Sequence, residues 1–233
     1  MSRIRVIDFE TTGMAPPAQV VEYGYCDLTR GDDGVWTVGA PRARLCGVDA
    51  IPPEVRAVHH ITMAEVADSP HFDEAEVHNP DEDVAVFAAH NLDFEDAFIP
   101  SRGLPGICTL KAALRVWPDA PGHSNGVLRY WLEDQGLLSL DHDTAMPPHR
   151  AGPDAYVTAH ILKALFAAGA TGKDMVAWTR EPRLLPTCPI GKFRGDKWGD
   201  VEAGFLTWML NQPTMEPDFK WNAQRELERR RAK

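Results

Sequence analysis

Val6-Ile7-Asp8-Phe9-Glu10-Thr11-Thr12-Gly13 reads as the end of a short apolar strand that carries two carboxylates two residues apart and then turns at a glycine. In a strand, residues i and i+2 point to one face. Asp8 and Glu10 therefore converge on one spot at the strand's end. Two like charges held that close repel unless positive charge lies between them. A hard divalent cation with oxygen ligands, Mg²⁺ or Mn²⁺, satisfies such a pair.

Outward from this strand, the pattern predicts a sheet first and helices around it. Residues 3–10 read as the first strand, Gln19 to Leu28 as a second and Val35 to Leu45 as a third. That opening is a β-meander with antiparallel members. Pro52-Pro53 starts a short helix, and Thr62 with Glu65 fits a capping box for another. Asp83 to Ala89 is a buried-type strand that runs into His90-Asn91, with Asn91 expected to cap a helix over 92–99. Ile107 to Leu110 predicts a short strand, followed by a helix to Trp117.

Further on, Ser124 to Gln135 is amphipathic, with Val127, Leu128, Trp131 and Leu132 on one stripe and a stop at Gly136. A helix over 154–168 follows, with Pro153 in its permitted first-turn position. Strands with helices around them give an α/β layered domain over residues 1–180. Three prolines between Glu181 and Pro189 mark a linker over 181–189. Residues 190–233 predict a small α-rich C-terminal module: the basic, aromatic turn Gly191-Lys192-Phe193-Arg194-Gly195, a helix over Asp200 to Asn211, and a charged helical tail. Gly169 to Asp174 lacks the glycine spacing of a phosphate loop.

Composition narrows the class. The chain has 233 residues, enough for one large domain and a small one. No apolar run approaches the roughly 18 residues of a membrane span, and the start shows no signal-peptide core, so a cytoplasmic protein without a membrane partner is expected. Cys26, Cys46, Cys108 and Cys188 are far apart and read as reduced, buried thiols. The net charge of −10 argues against a tight, sequence-independent duplex binder. It leaves room for an enzyme that grips nucleic acid locally through bound metals.

Two further segments match the first. His90-Asn91-Leu92-Asp93-Phe94-Glu95-Asp96 ends the buried strand, and His149-Arg150-Ala151-Gly152-Pro153-Asp154 sets a histidine five residues before an aspartate at a helix start. In this order the three segments resemble the motifs of the DEDD superfamily of 3′→5′ exonucleases, in the branch that uses His-x-Ala-x-x-Asp. Val58-His59-His60-Ile61-Thr62, Ile107-Cys108-Thr109, Trp117-Pro118 and the stretch from Gly191 to Leu210 resemble the exodeoxyribonuclease X subgroup. The resemblance spans nearly the whole chain. It implies a ribonuclease H-like mixed β-sheet flanked by helices. It also implies Asp8, Glu10, Glu95 and Asp154 as ligands of two Mg²⁺ ions, with Mn²⁺ as an alternative, and His149 as general base. One position departs: the family's second motif ends in Phe-Asp, and here Phe94 is followed by Glu95. Glutamate is longer by one methylene, about 1.5 Å of reach. Asp93 and Asp96 flank it as alternatives.

The implied reaction is hydrolysis of phosphodiesters from a 3′ end, releasing nucleoside 5′-monophosphates. A base must be neutral to take a proton, and histidine's reference value of about 6.5 allows it, so activity should rise from acid to mildly alkaline pH. Backbone amides around Thr11, Thr12 and Gly13 are candidates to meet the terminal nucleotide, since glycine permits close approach. By resemblance His59 lies in a segment that forms part of a nucleotide pocket, or else it is a polar residue flanking a helix, and Asn91 is either a cap or a substrate contact. The expected partner is single-stranded or 3′-ended DNA. RNA is the alternative, because nothing in the motifs reads a 2′-hydroxyl; a binding module with a weakened site is another. Lys192, Phe193, Arg194 and Lys197 suit a strand backbone with a stacked base, or else a small docking loop folded on itself. Arg225, Arg229, Arg230 and Arg231 read as a solvated helix face or as a nucleic-acid contact.

Overall fold

In the computed structural model, which describes residues 2–77, 83–100 and 103–232, the alternation of β1 (Ser2–Thr11) sets the layers. Ile4 and Val6 face one hydrophobic cluster, and Ile7 and Phe9 face another on the opposite side. Asp8 and Glu10 continue the Ile4–Val6 face. Beside β1 lie β2 (Val20–Arg30), antiparallel, and β5 (Val84–Ala89), parallel; β6 (Gly106–Cys108) runs parallel to β5. Both β3 (Trp36–Val38) and β4 (Arg42–Leu45) pair with β2. The sheet is thus mixed, with order β3-β2-β1-β5-β6 and β4 on β2.

The single strand expected over Val35 to Leu45 is therefore two. The Gly39 N–H still donates to Asp27 O at 2.9 Å, but Pro41 has no N–H to continue the ladder. The chain breaks there and resumes at Arg42.

Helices cover both faces. α1 (Pro53–His59) and α2 (Met63–Val66) close one flank over Val21, and the expected capping box forms, with Thr62 N–H donating to Glu65 Oε2 at 2.7 Å. α3 (Leu92–Asp96) is shorter than expected. The N–H groups of Phe98 and Ile99 both turn back to Glu95 O, and Pro100 disfavours helix at the residue before it. Then come α4 (Thr109–Val116), α5 (Asn125–Asp134), α6 (Ala151–Ala167) and α7 (Gly172–Thr179). On α5 the stripe is rotated: Leu128 and Leu132 are buried, but Val127 is exposed and Arg129 is buried instead. Arg129 reaches His142 Nδ1 at 3.0 Å, so a polar tie to the following loop takes the place given to an apolar side chain. Leu128, Leu132, Ile161, Leu162 and Leu165 join α5 and α6 to the sheet. Each contributes about 1.5–3 kcal/mol by burial.

The C-terminal segment packs on a separate cluster around Cys188, Trp198, Leu206, Met209 and Ala223. Its helices are α8 (Ala203–Asn211) and α9 (Pro217–Arg231). The tail arginines are mostly occupied. Arg229 and Arg230 bond Glu226, and Arg230 also donates to the carbonyls of Trp198, Gly199 and Val201. Arg225 lies over the Trp221 ring. Lys233, counted with the tail in the sequence, lies outside the described residues. Among the described residues no helix is long and apolar enough to cross a membrane. All four cysteines are buried and free.

Candidate active site

Asp8 and Glu10 sit near the C-terminal end of β1, and Asp154 sits in the first turn of α6. One carboxylate oxygen from each lies within 4.8 Å of the others. The parallel strands β1 and β5 both end on this side, where open α/β sheets place their ligands.

What seats α6 over the two strand carboxylates is Gly24. It pairs with Asp8 across the β1–β2 ladder. A Cβ at Gly24 would lie 2.3 Å from Ala151 C and 2.5 Å from Gly152 N, so the helix backbone rests directly on the glycine. Glu22, the cross-strand partner of Glu10, fixes the same helix end. Arg150 grips it with two bonds, of 2.9 and 2.6 Å, and the Ala151 N–H donates to it at 2.9 Å. This carboxylate takes the first free N–H of α6, which is why the helix begins at Ala151 and not at the expected 154. Asp154 in turn accepts the His149 N–H at 2.8 Å. Asn125 of α5 adds a bond to Asp154 O at 3.2 Å.

Glu95 stands outside the trio but close to it. It is buried, at 2% exposure, and its Oε2 has no hydrogen-bond partner among the described residues. Of its flanking acids, Asp93 is exposed and pairs with Lys111 at 2.9 Å.

The electrostatics are those of an under-neutralised cage. Burial, then Asp154, Glu10 and Glu95, push the Asp8 carboxyl well above the usual carboxylate range. Glu10 is pushed up to about 8, chiefly by burial and then by Asp154 and Glu22, against the pull of Arg150. Glu95 is raised mainly by burial. Asp154 is raised by burial too, with His149 opposing. A buried oxygen without a partner, next to three converging carboxylates that resist ionisation, fits a divalent cation with oxygen ligands. The residues therefore fit the divalent metal that the resemblance implies.

His149 is exposed on the rim of a cleft of about 420 Å³ that also touches Asp154, Asn125, Arg129 and Tyr130. Its backbone is left-handed, at φ 59°, a conformation costly for a β-carbon residue and held here by the bond to Asp154 and the Arg150 anchor. His59 is buried at 3%. Its Nδ1 accepts the Ile61 N–H at 3.0 Å, so the neutral ring carries its proton on Nε2, which has no partner among the described residues. Burial lowers its pKa and keeps it neutral.

The Thr11–Gly13 turn is largely committed to itself. Thr11 Oγ1 donates to Gly13 O at 2.7 Å, Thr12 N–H donates to Gln19 O, and Thr12 Oγ1 accepts from Gln19 N–H. Asn91 makes no side-chain cap. It occupies the left-handed region at φ 80°, which asparagine tolerates, and turns the chain from β5 into α3. A larger cleft, of about 880 Å³, lies at the other end of the sheet around Ile4, Val86, Trp36 and Phe166, but its lining holds no carboxylate or imidazole.

Gly24, Glu22 and Arg150 carry no site signal of their own in the sequence. Only Arg150 lies inside a recognised motif; the other two become visible once strand register and helix crossing are known.

No protein-family model matches the chain. Exodeoxyribonuclease 10 of Escherichia coli (strain K12) is 31% identical over 231 residues, which cover 97% of this chain and 99% of that protein. A solved structure of exonuclease X in complex with 5′-overhanging duplex DNA matches with a TM-score of 0.60 at 30% identity, covering 76% of this chain and 99% of that one. E. coli exonuclease I in complex with a dA16 oligonucleotide matches with a TM-score of 0.53 at 15% identity, over 76% of this chain and 43% of that one, a likeness of fold. Near-full-length identity to a named relative, the ribonuclease H-like sheet and the ordered motifs agree: this chain belongs to the exodeoxyribonuclease X family of DEDD exonucleases.

Proposed function

We propose that the chain hydrolyses DNA from the 3′ end, releasing nucleoside 5′-monophosphates, with Mg²⁺ as the working metal. The observation that carries this reading is the Asp8–Glu10–Asp154 trio, within 4.8 Å, beside the unpartnered buried oxygen of Glu95. Asp8, central to the cluster, would hold both ions; Glu10 and Asp154 would complete one site and Glu95 the second. When bound, two such ions relieve charge on the phosphoryl oxygens, activate water and stabilise the departing 3′-oxygen.

The chain's own groups do the rest. His149, on the cleft rim, takes the proton of the attacking water on its ring nitrogen. Its placement depends on Asp154 and on the Arg150–Glu22 pair, which hold the loop and the helix start together. The buried Nε2–H of His59 is a donor without a partner, suited to an oxygen of the terminal nucleotide. Thr11 and Thr12 support that pocket by holding the turn rigid, and Gly13 and Asn91 shape the backbone around it.

The test uses 5′-labelled single strands of DNA and RNA of one sequence, with Mg²⁺ or EDTA, beside Asp8→Ala. The expected result is a ladder shortening from the 3′ end, dependent on Mg²⁺, absent in Asp8→Ala and faster on DNA. No ladder on either polymer with Mg²⁺ or Mn²⁺ overturns the reading.

A further inference from the structure

We propose that the C-terminal segment carries a second nucleic-acid site, a stacking shelf for single-stranded DNA formed by Phe193, Phe205 and Trp208 and flanked by Lys192, Arg194 and Lys197. It rests on the exonuclease reading in one respect: the strand it holds is the one whose 3′ end enters the carboxylate site.

The shelf starts from the turn Gly191 to Gly195. Gly191 has φ +65°, and a Cβ there would lie 2.8 Å from Phe205 Cζ, so its backbone rests against that ring as only glycine allows. The turn thereby presses Phe193 onto Phe205, edge to face at 5.0 Å between centroids. Phe205 in turn lies 5.1 Å from Trp208, tilted by 31°. The row ends in solvent: Trp208 is 46% exposed, while its neighbours Leu206 and Met209 are buried in the local core. An indole left bare at the end of a ring series is an apolar surface awaiting a flat partner.

Charge identifies that partner. Lys192 Nζ sits 4.7 Å from the Phe193 centroid and makes only an exposed pair with Glu202, which costs little to release. Arg194 spends its Nε on Pro189 O, and its terminal nitrogens have no partner among the described residues; nor does the Lys197 ammonium. Elsewhere the chain repels a polyanion. Residues 1–180 hold 14 basic and 26 acidic side chains, a formal charge of −12, whereas 181–233 hold 10 and 8, a charge of +2. A lysine over the Phe193 ring whose exposed pair is easily released, with Arg194 and Lys197 within five residues of it in the chain, matches alternating bases and phosphates. Duplex DNA keeps its base faces stacked and cannot use Trp208.

The experiment measures binding of fluorescent dT20 and dT4 to the full chain in EDTA by anisotropy across a salt series. It compares wild type, Trp208→Ala, Trp208→Phe and the combined Lys192→Ala, Arg194→Ala, Lys197→Ala variant. Trp208→Ala is expected to weaken dT20 binding roughly tenfold, and Trp208→Phe to restore most of it. The triple variant should flatten the dependence of log Kd on log salt by about two units of slope. In Mg²⁺ the wild-type preference for dT20 over dT4 in kcat/KM should shrink in both. Wild-type affinity for dT20 in Trp208→Ala, with an unchanged salt slope in the triple variant, overturns the shelf. If the wild type hydrolyses no DNA, the exonuclease reading fails, and the EDTA series still decides the shelf.

Discussion

Glu95 is the residue at which this chain departs from its family motif, and its surroundings show how a longer side chain is accommodated. It is buried, and the short α3 turn holds it by its own carbonyl bonds to Phe98 and Ile99. Asp93, the nearest substitute, is drawn away by Lys111. The expectation is that Glu95→Gln, which keeps the shape and removes the charge, lowers kcat by at least about 100-fold with Mg²⁺. Glu95→Asp should stay within about tenfold of wild type at saturating metal. Steady-state rates over a Mg²⁺ titration check both. Asp8 gives a stability prediction with the opposite sense to its catalytic one. Its carboxyl is raised by burial and by four neighbouring acids, and Glu10 beside it is raised to about 8. A folded pKa above the unfolded value near 4 means that the metal-free fold binds extra protons between the two. For Glu10 that contribution is whole below about pH 4 and is lost as pH rises through 8; Asp8 adds to it with the same sign. Asp8→Asn should therefore melt higher than wild type in EDTA at pH 8, with the gap narrowing at pH 5. Mg²⁺ should raise the wild-type Tm and leave the variant's nearly unmoved.

Among the elements, α6 decides whether the carboxylates meet. Two strand acids come from one β-strand and were legible from their spacing alone. The third arrives on a helix far along the chain, and its approach depends on a residue with no side chain. Gly24 opposite Asp8, with the Ala151–Gly152 backbone resting on it, is the contact that brings Asp154 down. Gly24→Ala should destabilise the protein by about 1–3 kcal/mol, read from urea midpoints. It should cut kcat by about 100-fold, because a displacement of about an ångström at the site is enough. A variant with wild-type kcat would mean that α6 is not seated by this contact. The sequence could show the strands, the two carboxylate motifs and most helices because periodicity and capping are local. It could not show Glu22 gripping Arg150, since that depends on antiparallel register and on where a helix crosses. Nor did pattern alone reveal that Pro41 splits the third strand, or that Arg129 displaces Val127 from the buried stripe of α5.

At the scale of the molecule, charge is distributed as function demands. The acidic portion over residues 1–180 holds the carboxylate cage, and the mildly basic C-terminal segment, with its own core, holds the aromatic row. The raised carboxyls of that cage have a consequence beyond stability. At neutral pH the metal-free protein keeps a proton on Glu10, whose pKa is about 8, and Asp8 is raised as well. Ligands bind a cation only after losing their protons. Loading the site is thus an exchange of hydrogen ions for a divalent cation, and calorimetry in buffers of different ionisation heat should record about one proton or more released per chain at pH 7. Acidity and the divalent cation then compete for one set of oxygens, so a fall in pH at constant metal should empty the site.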